Sequence, residues 1–437
     1  GCFAAAGRRP IRSFLTSLAD MILASFFAAF SEHLQSPQFH AQARHPNHPN
    51  AFCRQRKLPL QSLVAVMLGG MRKSVRAELD ELFSHLEQQA QLVRTVSERA
   101  FSKARAKLAA TAIPALNDWL VEHAESAGFV PRWHGLRLVA ADASTLRFGL
   151  RASTVPNPAS ADQIAFGLFL PDADMMLAAS LHSVHENERQ MLFQHLDRLG
   201  PGDLLLMDRG YPCRWLPAAL NQRGIGFCMR VERSGNAGFT CVRDFLRGGQ
   251  AEAIVTLGAP DQRDCTDYEC PPGPQTVRLV RHVASTGKVR VLMTNLLDAV
   301  RFPVTLFGGL YHRRWGIEEA FKRLKHRVNL EHVSGLSQLA VLQDFAAKVV
   351  CDNLQSLIAT SAHEQAQLPE HTRINHAYAH TAMKPLLPAL LLGTASLAQL
   401  QTLLRLIAGV TYRHRPDISK PRAQQPKPHK SMTQKPC

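Results

Sequence analysis

Paired cysteines are missing from this sequence. Its nine cysteines include no Cys-x-x-Cys pair, and Cys265 and Cys270 have no second pair that would complete a structural zinc site. An odd number of cysteines without a regular framework is typical of reduced thiols in the cytosol. We therefore interpret the cysteines as structural and predict no zinc centre built from them.

An apolar run long enough to span a bilayer is also missing. The strongest candidate, residues 14–30, contains Asp20 and several Ser and Thr residues, and it is shorter than the roughly 20 residues that a spanning helix needs. It follows three arginines, as the apolar part of a signal peptide would. We predict instead a buried amphipathic helix and no membrane partner. The sequence starts at Gly1 rather than Met, which leaves the native N-terminus undetermined.

Acidic residues are scarce relative to basic ones. The chain has 51 Lys and Arg but 35 Asp and Glu, which gives a formal net charge of +16 and a pI near 9.8. Such an excess predicts attraction to a polyanion, most often nucleic acid. A basic soluble protein without such a partner is the alternative. With 437 residues, 46% of them hydrophobic, the chain can bury a core in about two to four domains.

The first part of the chain, residues 1–128, is predicted to be a helical DNA-binding region. Apolar residues recur at helical spacing over 60–68 and 74–86. A third helical segment, 97–108, is basic, with Arg99, Lys103, Arg105 and Lys107. This helix either docks on DNA or presents a solvated basic face, and the sequence favours neither.

Short apolar runs alternate with helical stretches from about residue 129, which predicts an α/β domain whose first part is 129–232. Residues 233–300 are mostly strand-like, with a loop at 264–274, and predict a β-rich insertion. The predicted strands are 136–141, 164–170, 175–181, 202–207, 226–231, 253–257, 276–283 and 289–294.

Residues 310–325 have the pattern of one helix with a polar stripe beside an apolar one. At about 100° per residue, the polar residues fall within roughly 60° of one another. They are Tyr311, Arg314, Glu318 and Lys325. One carboxylate flanked by two cations and a phenol suits a site that handles a phosphate and a metal ion. This helix belongs to the second part of the α/β domain, 301–340.

The remainder of the chain is predicted to be a helical C-terminal region, 341–411, and a basic tail, 412–437. The tail is rich in Pro and Gln and has little apolar content, so we expect it to be disordered and to add nonspecific phosphate contacts.

Three acids are candidate metal ligands: Asp142 and Asp208, which follow predicted strands, and Glu318 on the helix. Mg²⁺ prefers carboxylate oxygens, and two such ions can activate an attacking oxygen and stabilise a leaving one in phosphodiester chemistry. An Asp that follows an apolar run is more often a helix cap or turn residue. Spacing alone therefore does not decide between the two interpretations.

The four polar residues of the helix reproduce the signature Tyr-x₂-Arg-x₃-Glu-x₆-Lys, which resembles the YREK signature of bacterial insertion-sequence DDE transposases of family four. Asp208-Arg209-Gly210-Tyr211 is similar to the family's second-Asp motif, and Asp142 with Ser144 and Thr145 to its first. The resemblance extends over about residues 55–335. Further similar segments are 100–105, 293–296 and 314–322.

This resemblance implies a ribonuclease H-like catalytic domain in which Asp142, Asp208 and Glu318 bind two Mg²⁺ or Mn²⁺ ions. Water would cleave the element's end, and the freed 3′-OH would be the nucleophile in later transesterifications. Tyr311, Arg314 and Lys325 would hold the terminal phosphates, since an Arg fork and a Lys point charge both suit that task. The insertion would help to manage a flipped base. The expected partner is double-stranded DNA, bound by a homodimer in the bacterial cytoplasm.

Some features depart from the family pattern or leave alternatives open. Ala143 stands where the family commonly has Gly, and we predict that Trp315 packs inward rather than stacking on a base. A cluster of His and Glu residues that precedes the second Asp is interpreted as incidental and not as a metal site. One member, Glu188, could still support the metal ligands without itself binding the metal. The cluster comprises His182, His185, Glu186 and Glu188. The alternative functions are an inactive or repurposed transposase-derived DNA-binding protein and a metal-dependent nuclease on the same fold.

Overall fold

The computed structural model describes residues 18–149, 155–231, 239–284 and 287–413. The N-terminal helices within these ranges are α1 (Leu18–Gln35), α2 (Pro37–Gln42), α3 (Leu60–Leu68), α4 (Val75–Leu86), α5 (Glu98–Arg105) and α6 (Ala112–Ser126). The predicted buried helix is confirmed from Leu18 onward, because α1 buries Leu23, Phe26 and Phe30; residues 14–17 lie outside the described ranges. Among the helices of the described ranges, none combines the length and the apolar composition that a membrane span requires.

The predicted helices at 60–68, 74–86 and 97–108 correspond to α3, α4 and α5. Serine hydroxyls cap two of them, since Ser74 accepts the N–H of Ala77 and Ser97 that of Ala100. On α5, Arg105 is buried and pairs with Asp344 at 2.9 Å. This arginine therefore supports packing and is not available to DNA, whereas Arg99 and Lys103 are exposed.

The centre of the protein is an eight-stranded mixed sheet in the order β3-β2-β1-β4-β5-β8-β7-β6. The pairs β1–β4 and β4–β5 are parallel, and the others are antiparallel. The strands are β1 (Arg137–Arg147), β2 (Asp162–Leu170), β3 (Met175–His182), β4 (Asp203–Met207), β5 (Gly226–Val231), β6 (Glu252–Leu257), β7 (Gln275–Val283) and β8 (Val289–Thr294). The interspersed helices are α7 (Glu188–Phe193), α8 (Trp215–Gln222), α9 (Thr240–Gly248) and α10 (Gln262–Asp267). The structure therefore confirms a mixed α/β architecture.

Two details of this region differ from the sequence predictions. The strand expected to end before Asp142 continues to Arg147, because β2 pairs with it as far as Arg147↔Asp162. The loop predicted at 264–274 is helical over its first residues, where α10 begins behind an Asp261 cap. The strands of the predicted insertion, β6 to β8, continue the main sheet through the β5–β8 pair.

After the sheet, the chain forms helices again. They are α11 (Thr305–His312), α12 (Trp315–His326), α13 (Gln338–Gln365), α14 (His376–Met383), α15 (Leu387–Leu391) and α16 (Leu397–Ala408), and a two-stranded ribbon joins β9 (Thr372–Ile374) to β10 (Thr411–Arg413). The long α13 is buried over most of its length and packs against α6, α16 and β3. The predicted tail lies outside the described residues from position 414 onward.

Candidate active site

Two of the candidate acids lie side by side on neighbouring parallel strands. Ala140 of β1 pairs with Leu206 of β4, which places Asp142 and Asp208 at the same level, each two residues beyond this pair. Asp208 directly follows the fully buried β4, as the sequence predicted. Asp142 instead lies within β1 and pairs with Gly167 of β2.

Glu318 reaches the same region from the first turn of α12. The predicted apolar stripe is buried, with Ile317, Ala320, Phe321 and Leu324 against the protein interior. Phe321 packs on Gly167, where an added Cβ would lie 3.2 Å from the Phe321 ring. Since Gly167 is the partner of Asp142, this contact holds α12 over the strand that carries the first acid.

The segment predicted as one helix is two helices joined by a tight corner. At the corner, Arg314 donates its N–H to Tyr311 O at 3.2 Å and Ile317 donates to Arg314 O at 3.2 Å. These i→i−3 bonds wind the chain more tightly than an α-helix does. The prediction of an unbroken helix over 310–325 is therefore wrong.

The corner nevertheless lines one cavity of about 250 Å³ with residues from the sheet. Three residues of the polar stripe line this cavity, namely Tyr311, Arg314 and Glu318, and Asp208 lines it as well. Asp142 lies close enough to interact electrostatically with Arg314, Glu318 and Asp208. Lys325 lies elsewhere: its Nζ donates to Thr145 O at 2.6 Å, and it does not line the cavity.

Arg314 is the central cation of this site. It is 5% exposed, and its Nη2 donates to Glu318 Oε1 at 2.8 Å. Its guanidinium lies 5.8 Å from the ring centre of Tyr311 and 5.6 Å from that of Trp315. Its Nε and Nη1 are buried without a hydrogen-bond partner in the described structure. Because unmade hydrogen bonds of a buried cation are costly, these two donors mark a position for an anion.

The acids form a desolvated negative cluster. Burial raises the pKa of Asp142 to about 7, against the attraction of Arg314; repulsion from Glu188, Glu318 and Asp208 raises it further. A carboxylate in such surroundings favours a bound cation, and an all-oxygen donor set is the kind that Mg²⁺ or Mn²⁺ prefers. The chemistry of these residues therefore fits a hard divalent ion. In the described structure no three Asp, Glu, His or Cys side chains converge on one metal position. Glu318 is paired with Arg314 in this structure.

Glu188 is a fourth carboxylate of the site. Tyr211 donates its hydroxyl to Glu188 Oε1 at 2.8 Å, and the N–H of Ala143 also donates to this carboxylate. Glu188 thus connects β1 to the turn that carries Asp208, and burial raises its pKa. Its neighbours in sequence behave differently: His182 and Glu186 pair with each other at 2.8 Å, and neither lines the cavity.

Sequence analysis missed several residues that line the cavity, namely Arg209, Arg230 and Lys288. They come from three separate segments, so no spacing in the sequence connects them. Trp315 also lines the cavity and is 37% exposed, so the prediction of inward packing is wrong. Its accessible indole is compatible with stacking on a base.

The part of the sequence that contains this site matches a known protein family. Residues 134–354, slightly more than half of the chain, match the family model described as the transposase DDE domain, and the chain belongs to that family. The resemblance drawn from the YREK signature is thereby confirmed.

The chain is also similar to individual transposases. It is 26% identical over 283 residues to Transposase InsG for insertion sequence element IS4 of Escherichia coli (strain K12). The matched segment covers 62% of this chain and 63% of that protein. The chain thus matches less than two thirds of the length of this relative. The solved structure of the piggyBac transposase synaptic complex with hairpin DNA aligns with a TM-score of 0.41 and 10% identity, over 92% of this chain and 88% of that chain.

Proposed function

We propose that the protein is a DNA transposase that cleaves insertion-sequence ends and joins them to target DNA. The observation that carries this proposal is the cavity beside the β1–β4 pair. Asp208 and Glu318 line it with the buried Arg314, and Asp142 lies close enough to interact electrostatically with all three. Membership of the transposase DDE domain family supports it.

In this proposal Asp142, Asp208 and Glu318 would hold two Mg²⁺ or Mn²⁺ ions. When bound, such ions lower the pKa of an attacking water or hydroxyl and stabilise the leaving oxygen. Glu188 is a positioning residue, because it ties the Asp208 turn to the backbone next to Asp142. Release of Glu318 from Arg314 would free both groups, the carboxylate for metal and the guanidinium for a phosphate.

The DNA-binding residues have separate roles. Arg314 presents two buried donors, Nε and Nη1, on different edges of its guanidinium, each of which can donate to a phosphate oxygen, and Tyr311 lies against it in the same cavity. Trp315 is available for a base. Lys325 would contact the DNA farther along β1, near Thr145.

The finer fold assignment is also a proposal. The strand order β3-β2-β1-β4-β5, with an antiparallel β1–β3 meander beside parallel β4 and β5, supports a ribonuclease H-like core. This core assignment also implies how the chain divides into regions. They are a helical N-terminal region (1–128), a core in two parts (129–232 and 301–340), an insertion (233–300), a helical region (341–411) and a tail (412–437). We further propose that a homodimer binds the DNA in the bacterial cytoplasm.

The Arg314–Glu318 ion pair favours a second candidate, a transposase-derived protein that binds DNA ends without cleaving them. In that protein the ion pair would stay closed and Glu318 would never reach a metal.

Incubation of the protein with labelled DNA from both flanks of its gene, in Mg²⁺, distinguishes the candidates. We expect nicked and joined products from the wild type, and a loss of roughly a thousandfold in rate from Glu318→Ala, or about 4 kcal/mol of activation free energy. Glu319→Ala is the matched control, because Glu319 is exposed on the same turn and pairs with the exposed Lys322. Equal behaviour of wild type and Glu318→Ala would reject the catalytic role. Cleavage without joined product would indicate a nuclease.

A further inference from the structure

The C-terminal end of α10 brings two cysteines together. The helix ends at Asp267, and the chain then turns through Glu269, whose φ of 48° lies in the left-handed region. Beyond this turn the N–H of Cys270 donates to the carbonyl oxygen of Cys265 at 3.2 Å. A left-handed residue followed by this backbone bond is a Schellman motif, which places the side chains at its two ends in contact. In this protein both of those side chains are thiols.

The two thiols touch inside this turn. Their side chains form a hydrogen bond with each other. The Sγ of Cys270 also lies 3.9 Å from the carbonyl oxygen of Asp264, in the peptide group that leads into Cys265. Cys270 is buried, whereas Cys265 is only partly buried. One thiol of the pair is therefore accessible to a small solute, and the second lies directly behind it.

Aromatic rings hold this turn against the rest of the protein. Tyr268, which lies between the two cysteines in sequence, stacks on Trp215 with ring centres 3.7 Å apart and planes 4° apart. Phe193 of α7 meets Tyr268 edge-on at 5.1 Å. Neither cysteine lines the cavity of the candidate active site. The thiols are therefore held in place outside that cavity, and their chemistry is separate from the proposed cleavage of DNA.

We propose that Cys265 and Cys270 are a redox-modification site, at which a peroxide converts the two thiols into a disulfide. Cys265 reacts first because it is the accessible thiol, and its sulfur attacks one oxygen of the peroxide. The O–O bond breaks, hydroxide leaves, and Cys265 becomes a sulfenic acid. The sulfur of Cys270 then attacks the sulfur of Cys265. The S–O bond breaks, and the hydroxyl group leaves as water with the proton of the Cys270 thiol.

The surroundings of the pair favour this order of steps. Burial, with repulsion from Cys265 and the hydrogen bond to it adding to the effect, raises the pKa of Cys270 to about 11. Cys270 therefore stays protonated beside a reduced Cys265. Once Cys265 is a neutral sulfenic acid its repulsion is gone, which favours attack by Cys270. In total the sulfurs give two electrons to hydrogen peroxide, which is reduced to two molecules of water.

Peptide mass spectrometry of the full-length protein tests this site. The folded protein is treated with hydrogen peroxide, its remaining thiols are blocked with iodoacetamide in urea, and it is digested with trypsin. Both cysteines lie in one tryptic peptide, 264–278. We expect this peptide to lose the mass of two hydrogen atoms and to take up no iodoacetamide, and we expect dithiothreitol to reverse both changes.

The exposed Cys53 is the internal control for access of peroxide, because it lies alone in its own tryptic peptide. If Cys53 is oxidised while peptide 264–278 is still alkylated at both cysteines, the proposal is overturned. A disulfide that links peptide 264–278 to the peptide of Cys213 would overturn it as well, since the partner would then be a different thiol.

Single substitutions distinguish the roles of the two thiols. In Cys270→Ser we expect the reaction to stop at the sulfenic acid of Cys265, which dimedone labels, and in Cys265→Ser we expect Cys270 to remain unmodified. Cys213→Ser is the matched control, because Cys213 is another partly buried thiol near Tyr268 and should not be needed for the disulfide. Dimedone labelling of Cys270 in Cys265→Ser, without labelling of Cys265 in Cys270→Ser, would overturn the assigned order.

Substitution of the exposed Glu269 tests whether the backbone turn pairs the thiols. Glycine adopts the left-handed region readily, whereas a β-branched residue is strained there. We expect Glu269→Gly to form the disulfide at least as fast as the wild type, and Glu269→Val to form it roughly tenfold more slowly. Equal rates in the two variants would mean that closeness in sequence alone brings the thiols together, and the structural site would be rejected.

Discussion

Two buried arginines, Arg323 within α12 and Arg314 at the corner before it, are held in opposite ways. In the C-terminal half of α12, Arg323 donates to both oxygens of Asp352 at 2.7 Å and to Asp174 at 3.0 Å. Before its first turn, Arg314 pairs with Glu318, and two of its buried donors have no partner among the described residues. The first arrangement satisfies the charge within the protein and fastens α12 to α13, whereas the second leaves binding capacity for a ligand. A buried arginine is thus informative about function when its hydrogen bonds are incomplete.

Removal of Arg323 is expected to have the largest effect on stability. Asp174 and Asp352 raise the pKa of Arg323 despite its burial, and Asp352 is itself 1% exposed. Arg323→Met would leave that carboxylate buried without its partner, and we expect the free energy of unfolding to fall by about 3–5 kcal/mol. Urea denaturation followed by circular dichroism measures the change. Arg313→Met is the control, since the Arg313 side chain is 41% exposed and its pair with Asp172 lies nearer the solvent, where such a pair contributes less than about 1 kcal/mol. Equal losses in the two variants would remove the contrast between structural and surface pairs.

Removal of Arg314 is expected to affect binding more than stability. Arg314→Met deletes the two unpartnered donors, so the gain from relieving them offsets much of the lost ion pair with Glu318. We expect the free energy of unfolding to change by less than about 1.5 kcal/mol, while duplex affinity in EDTA falls roughly tenfold, the equivalent of 1.4 kcal/mol. Denaturation and anisotropy on the same preparation give both values. A loss of stability as large as that of Arg323→Met, with DNA affinity retained, would assign Arg314 a structural role.

Part of this site could be predicted from the sequence, because some of its signals are local. The apolar run of β4 ends at Asp208, and the stripe of Ile317, Ala320 and Phe321 gave the buried face of α12. The position of Asp142 was harder, since the small and polar residues that follow it give no signal of strand continuation. That continuation depends on pairing with β2, whose own residues lie beyond position 160.

The remaining features depend on contacts between distant segments. The corner at Arg314 replaces α-helical bonds with i→i−3 bonds, which the helical spacing of the side chains does not show. Arg230 and Arg290 are 60 positions apart in the chain and meet because β5 pairs with β8. Trp315 is exposed because the corner turns it toward the cavity and away from the core.

Anomalous diffraction from crystals soaked in Mn²⁺ tests whether Asp142, Asp208 and Glu318 form the proposed metal site beside Arg314. We expect anomalous density between Asp142 and Asp208, and a Glu318 carboxylate that has left Arg314 to join it. In crystals of Asp208→Asn, which keeps the size of the side chain but removes its charge, we expect this density to weaken strongly. Density confined to other acids, with the Arg314–Glu318 pair closed at saturating Mn²⁺, would contradict a metal site at these three residues.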